Sequence, residues 1–440
     1  MIKVAKFGGS SLADANQFKK VKDIILKDSS IIITVASAPG KRFPKDNKIT
    51  DLLYLSYAHL KYSVEYTKMF SHIEDRYAKI KEELNLKLNL GKEFDKIKSK
   101  MNKGMNKDYL ISRGEYLNAK LLAEYLGYTF IDAKDVIFFN FNGHINIEKT
   151  TKAIEEVFKC NSKIIIPGFY GSLPNGEIKV FSRGGSDITG SIISSIIKAS
   201  VYENWTDVSG ILMADPRIVD QPKKINFITY SELRELSYMG ANVLHTNAVA
   251  PVKDANIPIN IRNTNEPENP GTMIVNCNHK VLEEHSTSPI TGIAGKKDFS
   301  VLSIYKYPMS EEPNSLLNIL EVLKKYKINI EHISSGIDNF SLILSSEDLE
   351  KYLYEIIADT KKLCSSIEIK VVRDISLIAI VGRNMVHKPG TSGKLFAAVG
   401  NNGVNIRVIS QSSDELNIII GVANENFEKC INVIYNNFIV

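Results

Sequence analysis

Lys3-Val4-Ala5-Lys6-Phe7-Gly8-Gly9-Ser10-Ser11-Leu12 is the stretch on which the fold turns. An apolar segment carrying lysines runs into two adjacent glycines, two serines and then a helical pattern. Paired glycines let the backbone turn sharply and point successive N–H groups into one concavity. A helix starting just beyond adds its unpaired N-terminal N–H groups, and with them a positive potential suited to phosphate. Lys6 places a full charge at the mouth of that nest. Taken alone, the stretch reads equally well as an ordinary strand–turn–helix corner, so the rest of the chain must separate the two.

Working outward, Phe18, Val21, Ile24 and Ile25 recur at helical spacing. Ile31-Ile32-Ile33-Thr34-Val35 is a continuous apolar run of the kind found in central parallel strands. It opens into Ser37-Ala38-Pro39-Gly40, a loop at the end where such sheets place ligands. Thr50 or Asp51 is expected to cap the next helix. Residues 61–101 read as a solvated helical pair, and 108–126 as an amphipathic helix containing Ser112-Arg113-Gly114-Glu115. Strands are expected at 129–133, 163–167, 201–205 and 257–261. Helices are expected at 148–159, 188–199, 231–238 and 245–255. Such alternation over roughly 260 residues implies an α/β domain, residues 1–288, with a mostly parallel sheet sandwiched by helices.

Beyond it the sequence repeats itself. Ile328-Asn329-Ile330-Glu331-His332-Ile333-Ser334 lies 76 positions before Val404-Asn405-Ile406-Arg407-Val408-Ile409-Ser410, and the same offset carries Leu342-Ile343-Leu344 onto Ile418-Ile419-Ile420. Each copy reads strand, helix (315–326 and 392–402), strand, strand, helix. Two small α+β modules are expected, residues 289–374 and 375–440, of ferredoxin-like βαββαβ type with strands open to exchange between them. A duplicated module of this size suits regulation better than catalysis.

Composition sets bounds. A net charge of +5 from 55 basic and 50 acidic side chains gives nucleic-acid binding no support. The four cysteines are far apart, without a C-x-x-C pair, which argues against a disulfide framework or structural zinc and for a reducing cytoplasmic setting. The N-terminus lacks a charged n-region followed by an apolar h-region, and no run of about 18 apolar residues suggests a membrane span.

Among chemical motifs, both the G-x-x-x-x-G-K-[ST] loop and the dinucleotide fingerprint are missing. Gly390-Thr391-Ser392-Gly393-Lys394 has the wrong spacing and opens the helix of the second repeat. Arg183-Gly184-Gly185-Ser186-Asp187 is more informative, placing a bidentate carboxylate binder, a backbone nest, a hydroxyl and a carboxylate at one junction. Its plainer reading is a turn in which Ser186 or Asp187 caps the following helix. Glu115, flanked by Leu110, Ile111, Leu117 and Leu121, is half-buried on that reading or simply solvated. Thr206-Asp207 either caps backbone or meets a ribose or phosphate.

Lys6-Phe7-Gly8-Gly9-Ser10-Ser11, Ser112-Arg113-Gly114-Glu115, Phe181-Ser182-Arg183-Gly184-Gly185-Ser186-Asp187 and Trp205-Thr206-Asp207-Val208-Ser209-Gly210-Ile211 together resemble aspartate kinase. So do Asp215-Pro216-Arg217, Val243-Leu244-His245 and Arg262-Asn263-Thr264 with Pro267-Glu268-Asn269-Pro270-Gly271-Thr272, in the family's order and over nearly the whole chain. The resemblance implies the amino-acid kinase fold with tandem ACT domains and ATP-dependent phosphorylation of the β-carboxylate of L-aspartate, the first step toward lysine, threonine and methionine. It implies that Lys6 with Phe7, Gly8, Gly9 and Ser10 meets the ATP phosphates. Arg183 takes the α-carboxylate and Glu115 the α-ammonium, while Ser37, Thr50, Gly184, Gly185, Ser186 and Asp187 complete the substrate pocket. Lys6, Arg183 and Asp187 form the catalytic set. Thr206, Asp207, Leu212, Asp215, Arg217 and Asn242 lie along the nucleotide, with Mg²⁺ bridging phosphates and no dedicated protein metal site.

Two positions depart from the pattern. Leu212 stands where the family has tyrosine, and Asn242 where it has a phosphate-reaching lysine, a charge that Lys253 or another basic group is left to supply. The resemblance further implies a regulatory amino acid held by Met309, Asn314, Ser315, Leu316, Asn329, Ile330, Glu331 and Asp338. Acidic Glu311, Glu312, Glu331 and Asp338 point to lysine first and threonine second. A homodimer or dimer of dimers through the ACT modules is expected. Competing readings are a glutamate, acetylglutamate or UMP kinase of the same fold, or a non-catalytic amino-acid sensor.

Overall fold

The computed structural model describes residues 1–439 except 183, 242–243, 245–247, 285–287, 308–313 and 364–366. The chain forms two compact units: residues 1–211, 224–233 and 242–285, and residues 212–223, 234–241 and 286–440.

The first unit begins with β1 (Lys3–Phe7), α1 (Ala15–Lys27) and β2 (Ile31–Ala36). Four helices follow: α2 (Ile49–Lys61), α3 (Thr67–Glu83), α4 (Leu90–Lys98) and α5 (Lys107–Leu126). Then come β3 (Thr129–Phe130), α6 (Ile147–Cys160), β4 (Ile164–Pro167), the hairpin β5 (Tyr170–Ser172) and β6 (Ile178–Val180), α7 (Gly185–Ile196) and β7 (Val201–Thr206). Short strands β8 (Ile211–Leu212) and β9 (Lys224–Ile225) bracket a segment of the second unit. The chain continues through β10 (Phe227–Thr229), α8 (Tyr230–Tyr238), α9 (Ala250–Asp254), β11 (Ile259–Asn263), β12 (Thr272–Val275) and α10 (Val281–Glu284).

Eight of these strands form one sheet in the order β10-β12-β11-β7-β1-β2-β4-β3, parallel at every pairing except β11 with β12. Val4, Ala5, Phe7, Ile33, Val35, Ile164 and Ile165 are essentially inaccessible, as a sheet covered on both faces requires. The chain steps from β1 to β2 on one side and returns as β7 on the other. The carboxyl ends of these central strands therefore lie at a topological switch point, where open α/β sheets bind ligands.

Two sequence expectations need correction. Residues 61–101 are not a solvated pair: Phe70, Ile73, Tyr77 and Ile80 of α3 and Leu90, Phe94 and Ile97 of α4 are buried in the main core. Their charged faces masked an apolar stripe dense enough to pack. Thr50 and Asp51 do not cap α2; Lys48 is its N-cap residue, and both fall inside the first turn.

A buried charge cluster ties the sheet together. The Glu203 carboxylate, on central strand β7, accepts from Lys3 Nζ at 3.0 Å and from Trp205 Nε1 at 2.9 Å, and lies 3.6 Å from Arg262. Lys3 also pairs with Asp28 at 2.7 Å, and the Arg262 guanidinium sits 4.4 Å from the Trp205 ring centroid.

In the second unit, β13 (Gly292–Tyr305), α11 (Ser315–Lys325), β14 (Ile330–Ser335), β15 (Asn339–Ser345) and α12 (Ser346–Leu363) form one set of elements. β16 (Glu368–Val381), α13 (Thr391–Asn401), β17 (Val408–Gln411), β18 (Asn417–Ala423) and α14 (Phe427–Phe438) form the second. The repeat offset of 76 maps the ends of β13 onto those of β16, and those of α11 onto those of α13. All six strands join one antiparallel sheet, β14-β15-β13-β16-β18-β17, whose two middle strands are each 14 residues long. Its lobes have separate cores that do not divide at one point in the chain. Ile290 and Ile293 pack with Ile378, Ile380 and Ile420, whereas Leu302 and Ile304 pack with Ile319, Leu342 and Leu349. The register breaks midway, near Asp298 and Asp374, and both of these repeat-related residues have positive φ (69° and 60°).

Removing the Glu203 carboxylate leaves two cations without their shared partner. Glu203→Ala is expected to lower stability by about 3–5 kcal/mol, the range for breaking a buried pair. Lys3→Met, which removes a partly exposed cation and leaves Glu203 with Arg262 and Trp205, should cost far less. Urea unfolding of the two variants checks the ranking, and equal losses would contradict it.

Candidate active site

At the carboxyl end of β1 the backbone turns through Gly8 and Gly9 into a single 3₁₀ turn, Ser10–Leu12, before α1 starts at Ala15. The Gly8 N–H donates to Trp205 O at 2.9 Å, and the Gly40 N–H to Gly9 O at 2.8 Å. The β1 and β2 loops thus meet backbone against backbone. A Cβ on Gly9 would stand 2.9 Å from Ala38 O, and one on Gly40 would stand 2.6 Å from the Gly9 carbonyl carbon. Only glycines allow this approach, and the concavity they form is one that a single methyl group would fill.

The nest differs in one respect from the sequence reading. The N-terminus of α1 is capped by Asp14, which accepts from Gln17 N at 3.0 Å, and the 3₁₀ turn stands between that helix start and the glycines. The open helix end belongs to α7. Its N-cap is Gly184 at φ 59°, without a side-chain cap, and neither Ser186 nor Asp187 plays that part. Ser186 and Asp187 instead lie in its first turn, where the helix dipole favours negative charge.

Asp187 reaches Lys6. The Nζ–Oδ1 distance is 2.6 Å, with the lysine side chain 10% and the carboxylate 17% exposed. Asn204 completes the arrangement, donating from Nδ2 to Asp187 Oδ1 at 2.9 Å and accepting from Lys6 Nζ at 3.4 Å. Asn204 escaped the sequence reading. It lies next to the quoted Trp205 motif and pairs in register with Lys6 across β1 and β7, so strand pairing was the signal that would have found it.

Glu115, on α5, is buried against the β2 loop, with Gly114 packed on Ala38. Burial pushes its carboxyl up to about 8, against smaller opposing pulls from its own and Ala38's backbone N–H groups and from the Arg113 guanidinium. One of its oxygens, Oε2, has no hydrogen-bond partner among the described residues. One turn on, Asn118 donates to Ser37 O at 2.7 Å and fixes that loop, a positioning role the sequence reading missed. Thr50 adjoins it, because the Ile49 N–H donates to Pro39 O.

The Thr206 hydroxyl donates to the Asp207 carboxylate at 3.1 Å at the carboxyl end of β7. Lys6, the glycine turn, Ser37, Thr50, Glu115, Gly185, Ser186, Asp187, Thr206 and Asp207 thus all belong to one unit. Leu212, Asp215 and Arg217 belong to the other unit, where Asp215 and the largely exposed Arg217 pair at 2.5 Å. Arg183, Asn242 and Met309 lie outside the described residues. In the second unit Asn314 is the N-cap residue of α11 and Ser315 is buried. Tyr238 is pushed up to about 12, by burial first and then by the Glu331 carboxylate beside it.

The sequence model of the amino acid kinase family matches residues 1–263, and that of the ACT domain residues 378–438. Aspartokinase 3 of Bacillus subtilis is 33% identical over 99% of this chain and 98% of its own length. The crystal structure of Clostridium acetobutylicum aspartate kinase superposes with a TM-score of 0.94 at 49% identity, covering 99% of this chain and 100% of that one. Escherichia coli aspartokinase III in complex with aspartate and ADP shares the fold at 23% identity, with a TM-score of 0.76 and 99% coverage of both chains.

The Glu115 carboxyl gives a pH test. Folded, it keeps its proton to about 8; unfolded, it releases it near 4.5. Its contribution to stability is thus full below 4.5 and is lost as pH rises to 8. Glu115→Gln is expected to melt increasingly above the wild type between pH 5 and 8. A pH-independent difference in melting temperature would show that the carboxyl titrates normally.

Proposed function

The chain belongs to the amino acid kinase family, among its aspartokinases, and from that premise we propose that it transfers the γ-phosphoryl group of ATP to the β-carboxylate of L-aspartate. The observation that carries this reading is Lys6, held by Asp187 and Asn204 at the mouth of the Gly8–Gly9 turn, with a buried carboxyl at the neighbouring loop.

A β-carboxylate oxygen of aspartate attacks the γ-phosphorus, and the bond to the oxygen of departing ADP breaks. The acceptor is already an anion, so no protein nucleophile or strong base is required. What the site must supply is alignment and charge stabilisation. Lys6 meets the charge of the transferring group. Asp187 is engaged by Lys6 and Asn204 and acts as their positioning partner, leaving backbone N–H groups of Gly9 and Ser10 and of the uncapped α7 start to line the phosphates. Glu115 takes the α-ammonium and Arg183 the α-carboxylate, with Ser37, Thr50, Gly184, Gly185 and Ser186 around them. Because Glu115 keeps its proton to about 8, seating an ammonium beside it releases that proton at neutral pH.

Phe7, Thr206, Asp207, Leu212, Asp215, Arg217 and Asn242 serve the nucleotide. A Mg²⁺ held by the phosphates would neutralise their charge. Among the described residues no helix is long and apolar enough to cross a membrane. The described cysteines are unpaired, in keeping with a reducing cytoplasmic setting.

The second unit is read as the regulatory half, taking lysine, with threonine as second choice. Asn314, Ser315 and Leu316 at the start of α11 face the task with Asn329, Ile330 and Glu331 at the start of β14 and with Asp338; Met309 completes the set in sequence. Its edge strands suit assembly into a homodimer or a dimer of dimers.

With aspartate and ATP the protein should release ADP and yield an acyl phosphate trapped as hydroxamate, and glutamate should give neither. Lys6→Ala should lower turnover at least about 10²-fold, equivalent to roughly 2.7 kcal/mol of transition-state stabilisation. A near-normal rate in that variant would overturn the role given to Lys6. Lysine should raise the apparent KM for aspartate, and Glu331→Gln should blunt the effect; indifference to lysine at high millimolar levels would remove it as effector.

A further inference from the structure

Two residues before Glu115, on the same helix, Arg113 is 5% exposed and makes no ion pair among the described residues. Its Nε donates to Tyr109 O at 3.2 Å and to Ser112 Oγ at 3.3 Å, and its Nη2 to Ser112 Oγ at 2.9 Å. Nη1 has no acceptor among the described residues. The guanidinium is held between the rings of Tyr109 and Tyr116, at 4.6 and 4.4 Å from their centroids.

The carboxylates around it already have other donors. Glu93 accepts from Lys96, Lys120 and Tyr116. Asp132, which lines the same cavity as Arg113, accepts from the Tyr170 hydroxyl at 2.7 Å and the Lys134 N–H at 3.2 Å, both through Oδ1. A desolvated cation without a counter-ion is costly, and stacking on two rings offsets only part of that cost.

Arg113 also lines a cavity of about 510 Å³ within the first unit. Lys100 and Lys134 add positive charge to its wall, Met105 and Ile178 add apolar surface, and Glu177 stands at its exposed margin. Lys100 Nζ lies 4.5 Å from the Tyr109 ring, so that ring has a cation on it from Lys100 as well as from Arg113.

We propose that this cavity binds a small organic anion, whose carboxylate or phosphate group pairs with Arg113 and whose body lies against Tyr109 and Tyr116. A planar guanidinium with free N–H groups matches either oxyanion. The chemistry differs from that of the aspartate site, because the anion is taken by aromatic-stacked charge away from the glycine turn.

The test uses the full-length chain with ADP saturating the nucleotide site. Inorganic phosphate and benzoate serve as separate calorimetric probes, one for each kind of oxyanion. At least one should bind saturably, once per chain. Arg113→Gln should weaken that binding at least tenfold. Two exposed positions keep the test independent of folding: Lys134→Glu should weaken binding, and Glu177→Lys should tighten it. Absence of saturable binding by both probes, or affinities indifferent to these changes, would overturn the proposal and leave Arg113 as a stacked structural cation. Neither probe is a substrate in the phosphoryl transfer, so the outcome is independent of the hydroxamate assay.

Discussion

The contact on which the catalytic half depends is the 2.6 Å pair between Lys6 and Asp187, braced by Asn204. It joins β1 to α7 and β7, consecutive elements far along the chain from it, at the point where the sheet changes direction. A lysine chain is flexible, and ordering it normally costs rotamer entropy. Here the cost is met in the fold, since the carboxylate and amide hold the ammonium before any anion arrives. The glycine approach of the two adjacent loops follows from the same requirement. Backbone amides can come close to a phosphate only where no Cβ intervenes.

The two clusters of charge in this unit do different work. Around Glu203, two cations and an indole N–H converge on one carboxylate, and an equivalent apolar packing could replace them without loss of chemistry. Around Lys6 the partners leave the ammonium at the surface of a concavity. Glu115 adds a third case, a carboxyl so well buried that it stays protonated near neutrality. Burial in each case is similar; what distinguishes structure from site is whether the charge is consumed internally.

Much of this was legible in the sequence. Apolar runs such as Ile31–Val35 announced buried strands, paired glycines announced the turns, and the constant 76-residue offset announced the duplicated half. The losses share a cause, because they depend on partners that only folding brings near. Lys3 and Glu203 are 200 positions apart, and Asn204 gains its meaning only from lying opposite Lys6. Thr50 has the look of a cap because capping residues look alike whether they stand at the boundary or just inside it. Residues 61–101 carry so many charges that their apolar stripe was easy to overlook. Arg113 was quoted with its motif, yet nothing in one dimension reveals a guanidinium between two rings.

In the second unit, β13 and β16 each run through both lobes, with Ile293 serving one core and Leu302 and Ile304 the other. Side chains alternate faces along a strand, so a slip of one residue would turn every inward group outward. Two independent lobes could each make that error alone. Here a slip on either long strand would misplace residues in both cores together, and the break at Asp298 and Asp374 marks where the two must agree. The shared strands thus act as a vernier: the alignment of one lobe is read against that of the other, and a misaligned sheet loses twice.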